Sequence, residues 1–227
     1  MNPSLQNQIQ ESLESNDLDA VAGLAKTNRR VISLLVRKAY DKETLVGWRA
    51  IKAVGVAAQK LIQTDYEFLR ETIRKLRWSL SDESGGIGWA APELIGEIVC
   101  ADAQHFLDII PLIAEAYELE EDVFRPGVIY ALSRIADKTP ELVAPYSDVL
   151  FRAMQDKSPM TRIYALQLLG KMKSLLKSCL SKAIDEQLQL LKSDVSEAWI
   201  YDGEKFANVV VGQAAVVTRN LYKPLLK

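Results

Sequence analysis

The chain has 227 residues, of which 48% are apolar and 26% charged, so it is long enough to bury a sizeable core and too apolar to be disordered. Its net charge of −2 hides an asymmetry: no Lys or Arg lies between Arg77 and Arg125, a stretch that carries eleven acids. No run approaches the ~18 consecutive apolar residues of a membrane span, and the polar start MNPSLQNQIQESLESND lacks the basic and apolar regions of a signal peptide. A cytoplasmic protein is expected, with Cys100 and Cys179 as reduced core thiols in apolar helical contexts.

Apolar residues recur at three- and four-residue steps nearly throughout, which predicts helices. Residues 1–27 form one or two short helices that cap the N-terminus. Helix pairs follow over 28–40 with 43–62, 65–80 with 88–102, 104–119 with 122–137, 141–155 with 159–173, and 181–193 with 203–220. Asp65 offers an N-cap for YEFLRETIRKLRW, Pro92 and Pro126 fall in first turns, and Pro140 and Pro159 open helices behind Thr139 and Ser158. The second helix of each pair closes on a small residue: WRAIKAVG at Gly55, WAAPELIG at Gly96, PGVIYALS at Ser133, IYALQLLG at Gly170 and KFANVVVG at Gly212. These anchors lie 41, 37, 37 and 42 residues apart, the length of a two-helix repeat. The expected architecture is all-α: a right-handed α-solenoid of about five helix pairs over 28–220, forming one repeat domain across 1–227.

The Asp, then Arg, then Ala- and Leu-rich helix of DKSPMTRIYALQLLGKM (156–172) resembles the HEAT repeat, in the short bacterial form grouped with phycobilisome-lyase-like proteins. LSDESGGIGWAAPELIGEI (80–98) is similar to the signature DESGGIGWxAPExIGEI of a HEAT-like family from anaerobic bacteria. Both resemblances imply a fold and no activity.

Residues 81–89, SDESGGIGW, hold more glycines and acids than a turn between two helices needs. They read as a Gly-rich turn capped by Asp82 or Ser84 under Trp89, as a recognition loop, or as an anion site at the next helix N-terminus. A P-loop is excluded by the missing Lys and the wrong spacing. Positions three before and one after each anchor share one helix face: Lys52 and Val56, Glu93 and Glu97, Tyr130 and Arg134, Gln167 and Lys171, Val209 and Gln213. Seven before stand Trp48, Trp89, Pro126, Ile163 and Lys205. The stripe predicts a binding groove at Trp89, Glu93, Glu97, Tyr130 and Arg134, with Asp82 and Glu83 at its rim. The alternative is that Glu97 pairs with Arg134 and the tryptophans are buried.

Chemistry has little support. With one histidine, His105, and no Cys/His pair, neither a metal site nor a nucleophilic triad assembles, and no cofactor is expected. A HEAT-like DNA glycosylase would need a basic groove, which the acidic repeat opposes. The basic clusters at Arg29 to Lys38, Arg70 to Arg77 and Lys171 to Lys182 are spaced as solvated helix faces. Trp199 and Tyr201, before a turn at Asp202–Gly203, act as a latch or as an exposed aromatic contact. ANVVVGQAAVVT is apolar around most of its circumference and needs cover from 221–227 or from a homodimer contact. The reading is a non-catalytic scaffold for a basic peptide or protein patch. A nucleic-acid-binding protein or glycosylase, or a small-ligand site under the Gly-rich loop, is the alternative.

Overall fold

The computed structural model describes residues 4–80, 89–172, 175 and 181–222. Tertiary packing divides the chain into two units, Met1–Phe106 and Leu107–Lys227.

In the first unit, α1 (Leu5–Glu14) is capped by Ser4 and α2 (Leu18–Thr27) by Asp17. After them come α3 (Arg30–Ala39), α4 (Leu45–Leu61), α5 (Tyr66–Trp78) and α6 (Ala91–Ala101). Thr44 Oγ1 accepts from the Gly47 N–H at 3.1 Å, which starts α4. Asp65 makes no side-chain cap for α5; its carboxylate is taken by Arg29 instead. α3 packs on α4 and α5 on α6, while α2, α4 and α6 stack in succession. The N-terminal cap is therefore itself a helix pair that continues the stack. α4 can be flanked on both sides because it buries small residues: Gly47, Ala50, Ala53, Gly55, Ala57 and Ala58. α6 is buried from Ala91 through Cys100, and full burial of a side chain such as Leu94 contributes about 1.5–3 kcal/mol.

The second unit contains α7 (Ile110–Leu119), α8 (Arg125–Ala136), α9 (Pro140–Val143), α10 (Ser147–Ala153), α11 (Pro159–Met172), α12 (Ser181–Leu191) and α13 (Val211–Tyr222). α7 packs on α8, α10 on α11 and α12 on α13, while α8, α11 and α13 stack in turn. The helix expected over 141–155 is interrupted by a 3-10 turn at Ala144–Tyr146, where Pro145 has no N–H to donate.

The helix expected over 203–220 requires a larger correction, because it begins only at Val211. Before it, β1 (Glu197–Tyr201) and β2 (Phe206–Val210) pair antiparallel, with Glu197 opposite Val210 and Trp199 opposite Asn208. Asp202 Oδ1 accepts from the Glu204 and Lys205 N–H groups, and Gly203 takes φ +112°, a turn conformation open to glycine. The Tyr201 hydroxyl donates to Gly203 O at 2.6 Å, so Tyr201 turns inward and locks the turn while Trp199 is 62% exposed.

The Asp and Arg of the repeat pattern tie one turn to the next. Arg125 reaches Asp122 at 2.9 Å and Asp156 of the following turn at 3.5 Å. Arg162 donates to Asp156 O and through Nη2 to Ser196 Oγ at 2.7 Å, and it forms an ion pair with Asp194, whose Oδ2 lies 2.9 Å from Nε. Tyr117 donates to Asp156 Oδ2 at 2.8 Å, and burial followed by that contact pushes its phenol far above the ordinary range.

Candidate functional site

In the first unit the polar stripe is closed rather than open. Glu93 and Glu97 rise from α6 on one face, as their four-residue spacing requires, yet they are only 2% and 3% exposed. Lys42 Nζ donates to Glu93 Oε1 at 2.9 Å, and Lys52 Nζ to Glu97 Oε1 at 2.8 Å. A lysine three before one anchor thus meets a glutamate one after the next. The expectation of two solvent-facing carboxylates is corrected: α4 and the turn before it cover them, and their charge is neutralised locally. Glu93 Oε2 has no hydrogen-bond partner among the described residues. Gly55 is the close-approach point, since a Cβ there would lie 2.5 Å from Glu97 Oε2. Trp89 is 48% exposed ahead of α6, whereas Trp48 is buried. Asp82, Glu83 and the rest of the 81–88 loop lie outside the described residues.

In the second unit Tyr130 is buried with its ring 5.6 Å from that of Tyr164. Arg134 pairs with Asp137, which also accepts from Lys171 Nζ at 2.8 Å. Lys171 donates further to Ser133 Oγ at 2.7 Å and to Ser133 O at 3.0 Å, so the anchor serine is a buried acceptor. The structure therefore places Trp89, Glu93 and Glu97 in one unit and Tyr130 and Arg134 in the other.

A concavity of about 760 Å³ lies between α11, β2 and α13. Ile163, Gln167, Lys171, Val209 and Gln213, all positions of the sequence stripe, line it. Leu166, Gly170, Asn208, Ala214, Val217, Thr218 and Leu221 complete the walls. Val217 and Leu221 are 62% and 44% exposed, an apolar surface without cover from the described residues. Sequence reasoning marked 207–218 as an apolar segment in need of cover, but did not place Asn208, Val217 and Leu221 in a groove. The available signal was α13 itself: Ala214, Val217 and Leu221 share one face at helical spacing, beside the buried stripe of Ala215, Thr218 and Tyr222.

His105 sits exposed in the 3-10 turn Ala103–Phe106, with Nδ1 2.8 Å from Asp102, and its carbonyl accepts from the Tyr66 hydroxyl at 2.9 Å. Cys100 is buried and is not part of a disulfide. Among the described residues no three His, Cys, Asp or Glu side chains form a metal-ligating group, and no helix is long and apolar enough to cross a membrane.

Fold and site define an all-α protein of stacked helix pairs with an open groove near its C-terminal end, the fold class expected from the sequence. No protein-family model matches the chain. No curated protein matches it either. Among solved structures it is similar to a crystallised engineered protein from the Northeast Structural Genomics Consortium. That likeness has a TM-score of 0.56 and 14% identity over 99% of this chain and 93% of the other, and it is one of fold. The archaeal HEAT-like repeats protein from Thermococcus onnurineus NA1 aligns over 100% of both chains at 16% identity and a TM-score of 0.41.

Proposed function

We propose that this chain is a non-catalytic, HEAT-like binding scaffold that holds a protein segment in the groove between α11 and α13. The observation that carries this reading is the groove's lining. Its floor and walls are aliphatic, and its polar groups are mainly the neutral amides of Gln167, Asn208 and Gln213. Such a surface suits an amphipathic segment that buries apolar side chains and hydrogen-bonds its backbone to the rim. The basic partner expected from the acid-rich stretch would be steered by Glu115, Glu118 and Glu121, which are exposed, rather than by the covered Glu93 and Glu97. A cytoplasmic setting belongs to the same proposal.

The nucleic-acid alternative is less well supported, because part of the basic surface is met by the chain's own acids. Arg74 lies against Glu71 and within 3.9 Å of Glu67, Lys75 lies 3.8 Å from Glu71, and Arg29 pairs with Asp65. The test is selection of a peptide-display library on the full chain, with Val217→Glu as the counter-target. Enrichment of amphipathic sequences that bind the wild type and lose at least ~100-fold on Val217→Glu supports the groove. Equal binding to both proteins, or no enrichment, defeats it.

A further inference from the structure

The β-hairpin leaves one strand edge open in a particular way. Asp202 donates to Lys205 O and Val211 donates to Ser196 O, which sets the phase of the ladder between them. With that register, residues 198 and 200 pair by hydrogen bonds with 209 and 207. Phe206, Asn208 and Val210 then direct their backbone N–H and C=O groups away from β1. Asn208 is exposed and borders open space. No hydrogen bond to another described residue occupies its outward backbone groups.

Natural sheet edges are usually blunted by Lys, Pro, a bulge or an inward charge. The strand Phe206–Val210, FANVV, has none of these. The outward-phased positions of β1, by contrast, include Glu197.

We infer that the free edge of β2 is a self-association site, where β2 of a second copy pairs antiparallel about a two-fold axis at Asn208. The edge is chemically complementary to itself. In that register Asn208 meets its own copy, amide to amide, and Phe206 meets Val210, an aromatic beside a β-branched residue. Asn208 and its copy exchange two hydrogen bonds, and each Val210 N–H can donate to the Phe206 C=O of the other copy, while the Val210 C=O is taken by the first turn of α13. No charge lies anywhere along the contact, so the like-charge repulsion that opposes self-pairing is absent. The product is a four-stranded sheet, β1-β2-β2-β1, with Trp199, Asn208, Asn208 and Trp199 in one row across its face. The contact is small, so association should be weak and reversible, at micromolar concentrations or above. It does not rest on the groove reading, which is tested at Val217.

Sedimentation velocity of the full chain across ~10–500 µM is combined with amide hydrogen exchange at both ends of that range. The expected result is a reversible monomer–dimer equilibrium, with protection of the Asn208 and Val210 amides rising with concentration. N208P should abolish the dimer while leaving the hairpin intact, because the Asn208 N–H makes no bond to β1. N208K, which sets two like charges face to face, should weaken it roughly fivefold. A monomer at every concentration overturns the inference, as does a dimer that N208K leaves unchanged. Concentration-independent exchange at Asn208 overturns it even where N208P fails to fold. Protection of that amide only on adding a selected peptide would mean that the edge takes a foreign strand, which also refutes self-pairing.

Discussion

Lys42→Met, Glu93→Met and the double variant should give three unequal stabilities. Glu93 lies on a helix buried from Ala91 through Cys100, and its side chain is 3% exposed against 28% for Lys42. Removing the ammonium leaves a carboxylate with neither oxygen paired among the described residues and no route to water. Such an uncompensated buried charge costs about 3–5 kcal/mol. Removing the carboxylate is different, because Lys42 can swing its head into solvent and a methionine fills the vacated volume; a change within about 1 kcal/mol is expected. The double variant should recover most of what Lys42→Met loses, so the cycle has a large coupling term. Urea unfolding followed by far-ultraviolet circular dichroism measures all three, and the Lys42→Met loss corresponds to roughly 6–20 °C in Tm for a chain of this size. Equal losses for both single variants, or additive losses in the double, would refute the idea that the lysine serves mainly to neutralise a buried acid.

Other consequences can be checked with the same protein. Gly212→Ala should destabilise by about 1–3 kcal/mol, since a Cβ there would lie 2.6 Å from Lys192 O and 2.9 Å from Asp194 O. Gly170→Ala should be neutral or stabilising by up to ~1 kcal/mol, because its Cβ would meet only Leu221 Cδ1 at 3.5 Å; thermal melts of the two variants should move in opposite directions. Arg162→Ala removes the links to Asp156, Asp194 and Ser196. It should cost ~1.5–3 kcal/mol and raise hydrogen exchange at the Val211 and Gly212 amides first. Asp185 is held below the ordinary carboxylate range by its hydrogen bond from Arg219, and Asp202 by the Lys205 and Glu204 amides. With folded pKa values depressed, their stabilisation is present above the ordinary carboxylate pKa and is lost as pH falls through the folded values. The hairpin and the α12–α13 contact should therefore loosen below about pH 4. Carboxyl NMR titration with midpoints at or above 3.8 would contradict this.

The helix pairs were legible because a 3.6-residue period and a recurring small anchor survive divergence of every other position. The anchor's physical meaning was legible only in part. Gly55 faces Glu97 and Gly212 faces backbone carbonyls, but Gly170 has room to spare. KFANVVVG matched the helical pattern by apolar content alone. The competing signal, two β-branched residues behind an Asp-Gly turn with aromatics on either side, belongs to a hairpin, and short apolar runs do not separate the two periods. Which face Glu93 and Glu97 share followed from spacing. Their burial did not, because it depends on lysines 51 and 45 residues away that a local window cannot place.

The hairpin and the groove have one cause. In the first unit α4 and α6, each the second helix of its pair, pack side by side, and the stripe positions are filled by Lys52 from one helix and Glu97 from the other. The same register recurs at α11, with Ile163, Gln167 and Lys171 on the corresponding face. The second helix of the last pair, however, gives up its first two turns to the hairpin turn and β2 and starts only at Val211. A thin two-stranded ribbon occupies less volume than two turns of helix with side chains about 10 Å across. The face of α11 that a longer neighbour would have covered stays open, bounded by Asn208 and Val209 on one side and by Val217 and Leu221 on the other. Gly170 widens it further by placing no side chain where the two helices face each other. The departure from the repeat that sequence periodicity concealed is thus what converts a packed stripe into a groove.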